Sequence, residues 1–527
     1  MEILTHMSVG RFFVSKYRVV FDDCLEDLRI NSKVVEEWKY PLCTLTGKIA
    51  DLSPYLHPGE NTVTAVIRDN GGYLVFNIQP AITDYFFFSA SLLVIALLIV
   101  PVVTLLYRRF PRRALFFFAA VFILSSCLYW FLVTVTPYYV HAWDWKGHIE
   151  YIDYVASHFR IPPAQKGWEF YQPPLYYFFA AFWLKLSVFF HASREEALAG
   201  IQDWSFVCTM AAVAVAMWIS VQVFPKKTQL AHALAFSAIV ATFPGIALFT
   251  SRISNDIPFL LVSFLFIALL LRWWQRNKQR DWYALVVVIG VGLLIKSNTI
   301  SLLVIALLCL ALKKDIPFRE KRKQAWYSLA IICLFSFWLF AFRFGVEGEK
   351  FIVGNHLSSK LQVTNSFSHF LVFNPVRTLR FPFNDNYSDI AGRQYFWENL
   401  FKSAFFGEWK YKPSLLAQAI YSVYFFALLA ALVGMIRSIW KDPDRTLPLF
   451  VSLIIGLGTL IGYRLVSPFS PNQDFRFIPF IILSLVYYLV TGLYSICHPK
   501  KLQFIFLNAV IVLFNVLFVA GLIIRPL

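Results

Sequence analysis

Acidic side chains stand directly after two of the long apolar stretches in this 527-residue chain. Asp144 follows a stretch that ends near residue 136, and His148 lies four residues further on. A carboxylate among aromatic residues that exclude water can act as a general base toward a hydroxyl group. An ordinary loop is the alternative, with the two side chains solvated or paired across one helical turn. The residues alone leave both interpretations open.

The second acid, Asp256, lies in the segment Ser251-Arg252-Ile-Ser-Asn255-Asp256-Ile-Pro258 between two apolar stretches. A charged side chain inside a membrane costs about 2.5 to 3.5 kcal/mol on insertion scales. Asn255 or Asp256 ahead of Pro258 also fits the start of a helix, where such side chains cap the backbone. We expect Asp256 to cap its helix and also to serve a site.

Two cations, Lys296 and Arg476, stand at the ends of apolar stretches on the same predicted side. Cations there need a counter-anion, and a lipid phosphate suits both, because Lys binds it as a point charge and Arg as a bidentate fork. The alternative for Lys296 is an extended side chain that reaches the headgroups.

The composition places these residues in a membrane protein. The chain is 58% hydrophobic and 15% charged, with a mean hydropathy of +0.60, whereas soluble proteins carry about 25% charged residues. The net charge of +17 has no soluble basic face to go with it, so no nucleic-acid partner is expected.

Apolar stretches of spanning length predict a polytopic α-helical membrane protein with about twelve transmembrane helices. The predicted spans lie near residues 85–107, 114–136, 205–224, 231–250, 256–274, 282–296, 299–313, 325–343, 415–437, 446–466, 476–496 and 503–524. Lys and Arg concentrate in alternate loops, which should therefore be cytoplasmic. The long loops 137–204 and 344–414 then lie outside, and the apolar segment 175–190 is expected to be an interfacial helix.

Residues 1–84 predict a small all-β domain on the outer side, because short alternating runs are separated by turn residues. Residues 85–113 would link it, through one span and a cytoplasmic loop, to the helical domain at 114–527. Cys24 and Cys43 either form a disulfide in that domain or are free thiols. The segments 22–31 and 51–62 resemble the late strands of a galactose-binding-like jelly roll, which implies a carbohydrate-binding-like β sandwich.

Asp144 soon after a span, His148 and Ile149 on the next helix, and then Gln172-Pro-Pro-Leu-Tyr-Tyr177 resemble the first outer loop of fold-C (GT-C) membrane glycosyltransferases. The nearest resemblance is to bacterial proteins similar to protein O-mannosyltransferases and lipid A aminoarabinose transferases. It implies that Asp144 is the catalytic carboxylate and that Asp256 faces it. The family's acidic-Lys-Pro variant is replaced here by Tyr171-Gln172-Pro173.

The resemblance also implies a reaction. A sugar would move from a polyprenyl-phosphate donor to a glycan, lipid or protein acceptor with inversion, at the periplasmic face of a bacterial inner membrane. Asp144 would remove the acceptor proton, while Lys296 and Arg476 stabilise the departing phosphate. Arg252, His148, Glu169 and Gln172 are further candidates for substrate binding. Some fold-C enzymes hold Mg²⁺ or Mn²⁺ at the first Asp and others do not, and the sequence does not decide between them.

Three rival functions remain. A lipid-linked oligosaccharide ligase or polymerase would use the same fold. A non-catalytic assembly protein would keep the fold without using Asp144. A transporter would have ionisable residues or broken helices near the membrane midplane, whereas the acids here cluster at one face.

Overall fold

A computed structural model describes most of the chain. Its described residues are 2–9, 16–21, 24–38, 42–43, 48–68, 76–80, 112–140, 142–189, 194–343, 357–411, 414–497 and 501–521. The predicted span at 85–107 lies outside them.

The N-terminal region consists of short antiparallel strands, as predicted. They are β1 (Glu2–Val9), β2 (Lys16–Phe21), β3 (Cys24–Ile30), β4 (Lys33–Val34), β5 (Leu42–Cys43), β6 (Lys48–Asp51), β7 (Gly59–Arg68) and β8 (Phe76–Pro80). One sheet has the order β1-β7-β3-β4, with β5 also pairing with β3, and the other has the order β6-β2-β8. Cys24 faces Cys43 across β3 and β5 and forms a disulfide with it.

Alternation of buried and exposed side chains explains why the two sheets pack on a shared core. Along β7, Val63, Ala65 and Ile67 are buried while the residues between them are partly exposed, as expected for strands with one face on a core. Their side chains join Val19 and Phe21 of the other sheet in one apolar cluster. The domain meets the helical part through Arg18, whose guanidinium donates to the carbonyl of Thr134 at 2.9 Å. The jelly-roll topology stays a prediction.

The rest of the described chain is mainly helical. The helices are α1 (Arg112–Val135), α2 (Trp145–His158), α3 (Leu175–Phe189), α4 (Arg194–Val223), α5 (Leu230–Ala241), α6 (Pro244–Thr250), α7 (Asp256–Arg276), α8 (Gln279–Ile295), α9 (Ile300–Leu312), α10 (Phe318–Ala341), α11 (Phe367–Leu371), α12 (Pro375–Arg380), α13 (Phe396–Phe406), α14 (Ser414–Lys441), α15 (Pro443–Val466), α16 (Ile481–Cys497) and α17 (Lys501–Gly521).

Helices occur at every predicted span within the described residues, but fewer of them meet the requirements for crossing a membrane. Among those residues, six helices are long and apolar enough, or seven if α5 and α6 are one bent span. Helices α3 and α16 are apolar but shorter. The predicted count of about twelve is therefore not confirmed, while a multi-pass helical membrane protein with a small β region is.

The predicted span at 231–250 is broken. Helix α5 ends at Ala241 and α6 starts at Pro244, with a bend of 46° between them. Phe243 has extended backbone angles of −63° and 126°, because the residue before a proline is disfavoured in the helical region. Pro244 then occupies the first turn of α6, where its missing N–H costs nothing.

Helices α14 and α16 are in close backbone contact at one glycine of each helix. A Cβ added to Gly492 would overlap the carbonyl oxygen of Ala430, and one added to Gly434 would overlap that of Tyr488. Small residues of this kind allow membrane helices to pack backbone to backbone. The pair forms one wall of the largest apolar core, which also takes in buried residues of α4, α5 and α7.

Candidate active site

Helix α2 and the turn before it hold Asp144. Asp144 precedes the first residue of α2, and the buried face of that helix, with Ile149, Ile152 and Val155, belongs to a cluster that includes Tyr177 of α3. This amphipathic packing fixes the start of α2. The Asp144 carboxylate is left 17% exposed and bonds no backbone N–H as a helix cap.

Four charged residues from distant segments meet at this point, and we call them the ion cluster: Asp144, Asp256, Lys296 and Arg476. Arg476 Nη1 lies 3.0 Å from Asp144 Oδ2 and 3.9 Å from Asp256 Oδ2. The Lys296 ammonium pairs with the other oxygen of Asp256. Arg476 thus bridges the two acids that the sequence singled out.

Asp256 does not cap α7 as expected. It is the first helical residue, Asn255 stands at the cap position, and neither side chain makes a capping bond there. The amide of Asn255 instead donates to Ile295 O at 3.0 Å, just before Lys296. Sequence patterns favoured capping because the residue types fit, but the ion pair with Lys296 and the contact with Ile295 compete for the same side chains.

Lys296 lies between α8 and α9 with only 4% of its surface exposed. The side chain therefore does not extend to headgroups, which removes the alternative considered for it. Arg476 lies in a single 3₁₀ turn at 475–477, whose start is capped by Asp474 accepting from the Arg476 N–H at 2.7 Å.

The other predicted residues form a layer around the cluster. His148 Nε2 is 3.9 Å from Asp144 Oδ2, and its Nδ1 lies 2.7 Å from the Tyr177 hydroxyl. Gln172 donates to Glu169 Oε2 at 3.0 Å and accepts from Asn255 at 3.1 Å. The side-chain amide of Gln172 thus links Glu169 to Asn255, the residue preceding Asp256.

Arg252 is buried beside the cluster. Its carbonyl accepts from the Ser205 hydroxyl at 2.7 Å, and its guanidinium lies 5.5 Å from the ring centre of Phe249. The Nε atoms of Arg252 and Arg476 are both buried without a hydrogen-bond partner among the described residues. Buried polar groups are normally satisfied, so these two cationic donors have unused capacity to bond an anion.

Electrostatics keep the first acid ionised. Burial alone would raise the pKa of Asp144, but Arg476, His148 and Arg252 hold it well below its usual range. Burial likewise opposes the charge on Arg476, yet Asp144 and Asp256 raise its pKa well above the ordinary value. The pair is therefore charged at neutral pH.

Sequence reasoning missed Glu408, which comes just after α13. Its Oε1 is buried without a hydrogen-bond partner among the described residues. Burial, together with Asp474 and Asp144, raises its pKa to about 7 against the pull of Arg476 and Arg252. The neighbouring Trp409 stacks on Trp143, with ring centres 4.7 Å apart and planes 8° from parallel. The signal in the sequence was an acid within an aromatic run, which an interfacial loop also produces.

The donor set at the cluster does not fit a divalent metal. A metal site needs carboxylates free to coordinate, whereas the carboxylates of Asp144 and Asp256 are neutralised by Arg476 and Lys296. Among the described residues, no group of three or more His, Cys, Asp or Glu side chains is arranged to hold a metal ion. We derive no step through Mg²⁺ or Mn²⁺.

An apolar cavity of about 460 Å³ lies among the C-terminal helices. Its walls come from α13 to α16, with Trp397, Phe401 and Leu485 among the lining residues. Phe475 also lines it, and the next residue in the chain is Arg476. The cavity wall therefore includes the chain neighbour of a partly buried cation.

Comparison with known proteins gives one family. The sequence profile described as dolichyl-phosphate-mannose-protein mannosyltransferase matches residues 172–340, about a third of the chain. No curated protein gives a significant match. The matched segment runs from Gln172 past Arg252, Asp256 and Lys296, and it supports a membrane glycosyltransferase of the GT-C type.

Proposed function

We propose that this protein transfers a sugar from a polyprenyl-phosphate donor to a hydroxyl acceptor at the outer face of the membrane, with inversion at the anomeric carbon. The ion cluster carries the proposal. Four charged residues from four segments converge at helix ends. Lys296 and Asp256 are buried, and the Nε donors of Arg252 and Arg476 have no hydrogen-bond partner among the described residues. Such a constellation is costly unless it has a use.

Arg476 has to change partners during the reaction. A carboxylate whose pKa is held far below neutrality is a weak base. When the donor phosphate binds Arg476 and Lys296, it competes with Asp144 for the guanidinium and leaves that carboxylate free. Asp144 then takes the acceptor proton, the hydroxyl oxygen bonds to the anomeric carbon, and the bond from that carbon to the phosphate oxygen breaks. Polyprenyl phosphate leaves with the bonding electrons.

The apolar cavity supports a lipid-linked donor. Aromatic and aliphatic side chains line it, and one of them is Phe475, the chain neighbour of Arg476. In the proposed complex the polyprenyl chain occupies this cavity and its phosphate lies on the side of the Phe475–Arg476 turn. Ligand sites commonly combine such an apolar volume with a few polar groups at one end.

The disulfide between Cys24 and Cys43 supports an extracytoplasmic N-terminal domain, since disulfides persist in oxidising compartments. The cation-rich loops should face the cytoplasm of a bacterial cell. A membrane-impermeant thiol reagent should therefore leave Arg322→Cys, an exposed position in α10, unmodified in intact cells. Modification from outside would overturn this orientation.

The β domain is proposed to receive or position the acceptor. Removal of residues 1–80 should alter acceptor use while the helical domain stays folded. Aggregation of the shortened protein would instead assign the domain a folding role.

The direct test is an incubation of the purified protein with a panel of polyprenyl-phosphate and polyprenyl-diphosphate sugars. Release of polyprenyl monophosphate is expected, and it should stop in Asp144→Asn. Turnover of diphosphate-linked oligosaccharides alone would favour the ligase or polymerase. Binding without any turnover would favour the non-catalytic assembly protein.

A further inference from the structure

Carboxyl groups outnumber cations around the site. The acids near Arg476 are Asp144, Asp256, Glu408 and Asp474, and the cations are Arg252, Lys296 and Arg476. With every acid ionised, the described group would carry a net negative charge before any substrate arrived. An anionic phosphate would then enter a region that repels it.

Glu408 is the acid with the least support for a negative charge. Asp144 pairs with Arg476 and Asp256 pairs with Lys296, while Asp474 accepts the Arg476 N–H. Glu408 Oε1 is buried and has no hydrogen-bond partner among the described residues. Isolated buried carboxylates usually take up a proton instead of staying charged.

The two chain neighbours of Glu408 lie against the site. Gly407, the residue before it, has a φ of +58°, and a Cβ on Gly407 would lie 3.5 Å from the Arg252 guanidinium. Trp409, the residue after it, stacks on Trp143, the neighbour of Asp144. Glu408 therefore follows a residue close to Arg252 and precedes one that packs beside Asp144, and it interacts electrostatically with both charged groups.

Buried groups with no partner among the described residues occur on three residues that interact electrostatically: Nε of Arg252, Nε of Arg476 and Oε1 of Glu408. The first two are N–H donors. A protonated carboxyl would be a third donor, and phosphate oxygens accept from all three.

We propose that Glu408 binds the donor phosphate as a neutral carboxylic acid that donates its O–H to a phosphate oxygen, and that loss of this proton expels the phosphate. The inference rests on the proposed lipid-phosphate donor and adds to it a residue and a pH response.

The direction of the response follows from the surroundings. Glu408 faces the acids Asp144 and Asp474 and the cations Arg252 and Arg476, and burial is the largest influence on its pKa, which is about 7. The carboxyl is therefore mainly protonated at pH 6 and mainly ionised at pH 8.5. Donor affinity should fall across that range.

The pH dependence of donor binding can be tested with a phosphodiester probe, because the probe itself does not titrate in this range. Farnesyl methyl phosphate keeps a single negative charge from pH 6 to 8.5, so a change in its binding reports on the protein. For the wild-type protein in detergent micelles, we expect Kd to rise about thirtyfold over this range, because only the protonated fraction binds. Glu408→Gln, which is neutral at every pH, should bind with the same Kd throughout. Glu150→Gln, a matched change at an exposed position, should behave as wild type.

A further variant and a control ligand distinguish failure of the Glu408 proposal from failure of the lipid-phosphate donor. Glu408→Asp retains titration but withdraws the carboxyl, so its binding should be weaker and still pH-dependent, which keeps the test valid if Glu408→Gln fails to fold. A pH-dependent Kd in folded Glu408→Gln, or a constant Kd in wild type, would overturn the role of Glu408 and leave the donor intact. Failure to bind the probe at any pH, or equal binding of inorganic phosphate, would overturn the lipid-phosphate donor itself.

Discussion

Two buried ion networks in this protein are built differently. In the loop between α10 and α14, Glu398 is 0% exposed and receives two bonds from Arg377, at 2.9 and 2.5 Å, and one from the Asn374 N–H at 3.0 Å. The Arg377 guanidinium stacks 3.8 Å from the ring centre of Tyr395. In the ion cluster, by contrast, Arg476 divides one terminal nitrogen between two acids and keeps Nε unpaired.

An ion network whose buried carboxylate is fully hydrogen-bonded, as at Glu398, stabilises the fold. A network with unpaired donors, as in the ion cluster, can bind a ligand. Removing one partner of a fully bonded buried pair leaves an uncompensated charge, which is strongly destabilising. The ion cluster already carries unsatisfied groups, so it should contribute less to stability and more to ligand binding. The following experiments test that division.

Asp144→Asn keeps the shape of the side chain but removes the base, so turnover should fall by about 10²-fold or more. Donor affinity should not fall, because Arg476 loses the carboxylate that competes with phosphate. Release of polyprenyl phosphate and probe binding would be measured on the same preparation. Transfer at the native rate would mean that Asp144 is not the base.

Glu398→Ala should lower the free energy of unfolding by about 2 kcal/mol, since it removes the charge-assisted hydrogen bonds from Arg377, whose side chain is only partly exposed. Chemical unfolding of the purified protein would measure this, with Asp144→Asn as the comparison, which should cost much less. An unchanged unfolding midpoint for Glu398→Ala would remove the distinction between the two networks.

Arg476→Lys should weaken donor binding by about tenfold, because Lys keeps the charge but loses the planar fork. Turnover at saturating donor should suffer less than in Asp144→Asn. Titration with the phosphodiester probe would show the change, and an unaltered Kd would exclude Arg476 from phosphate binding.

Lys410→Ala should have the smallest effect on stability and turnover. Lys410 pairs with Asp385 at 2.8 Å, but half of its side chain is exposed, and exposed pairs contribute about 0.2 to 1 kcal/mol. Stability and turnover should both stay near wild type. A large loss in either would show that exposure is a poor guide to the role of an ion pair in this loop.

Local sequence was sufficient for residues whose surroundings are set nearby in the chain. The helix at Leu175–Phe189 was predicted within one residue, because its apolar run follows Pro173-Pro174. Asp144, Asp256, Lys296 and Arg476 stood out as charges at the ends of apolar runs, and these four meet. Their chemical roles remain proposals.

Glu408 was missed for a physical reason. Its surroundings come from α13 packing against α6, where a Cβ on Gly245 would overlap the Ala404 carbonyl, and from the stack of Trp409 on Trp143. Neither contact leaves a local pattern. The ion pair of Asp256 was also invisible in the sequence, since its partner lies forty residues away.

The contact between Gly434 and Gly492 couples the positions of two helices. Because backbone meets backbone there, no side chain at the contact can move aside, and any larger residue at either position would push α14 and α16 apart. Both helices line the apolar cavity, so the pair should behave as one rigid plate while α13 yields to admit a long chain. Spin labels on α14 and α16 should keep a fixed separation when a polyprenyl lipid is added, while labels on α13 and α14 move apart.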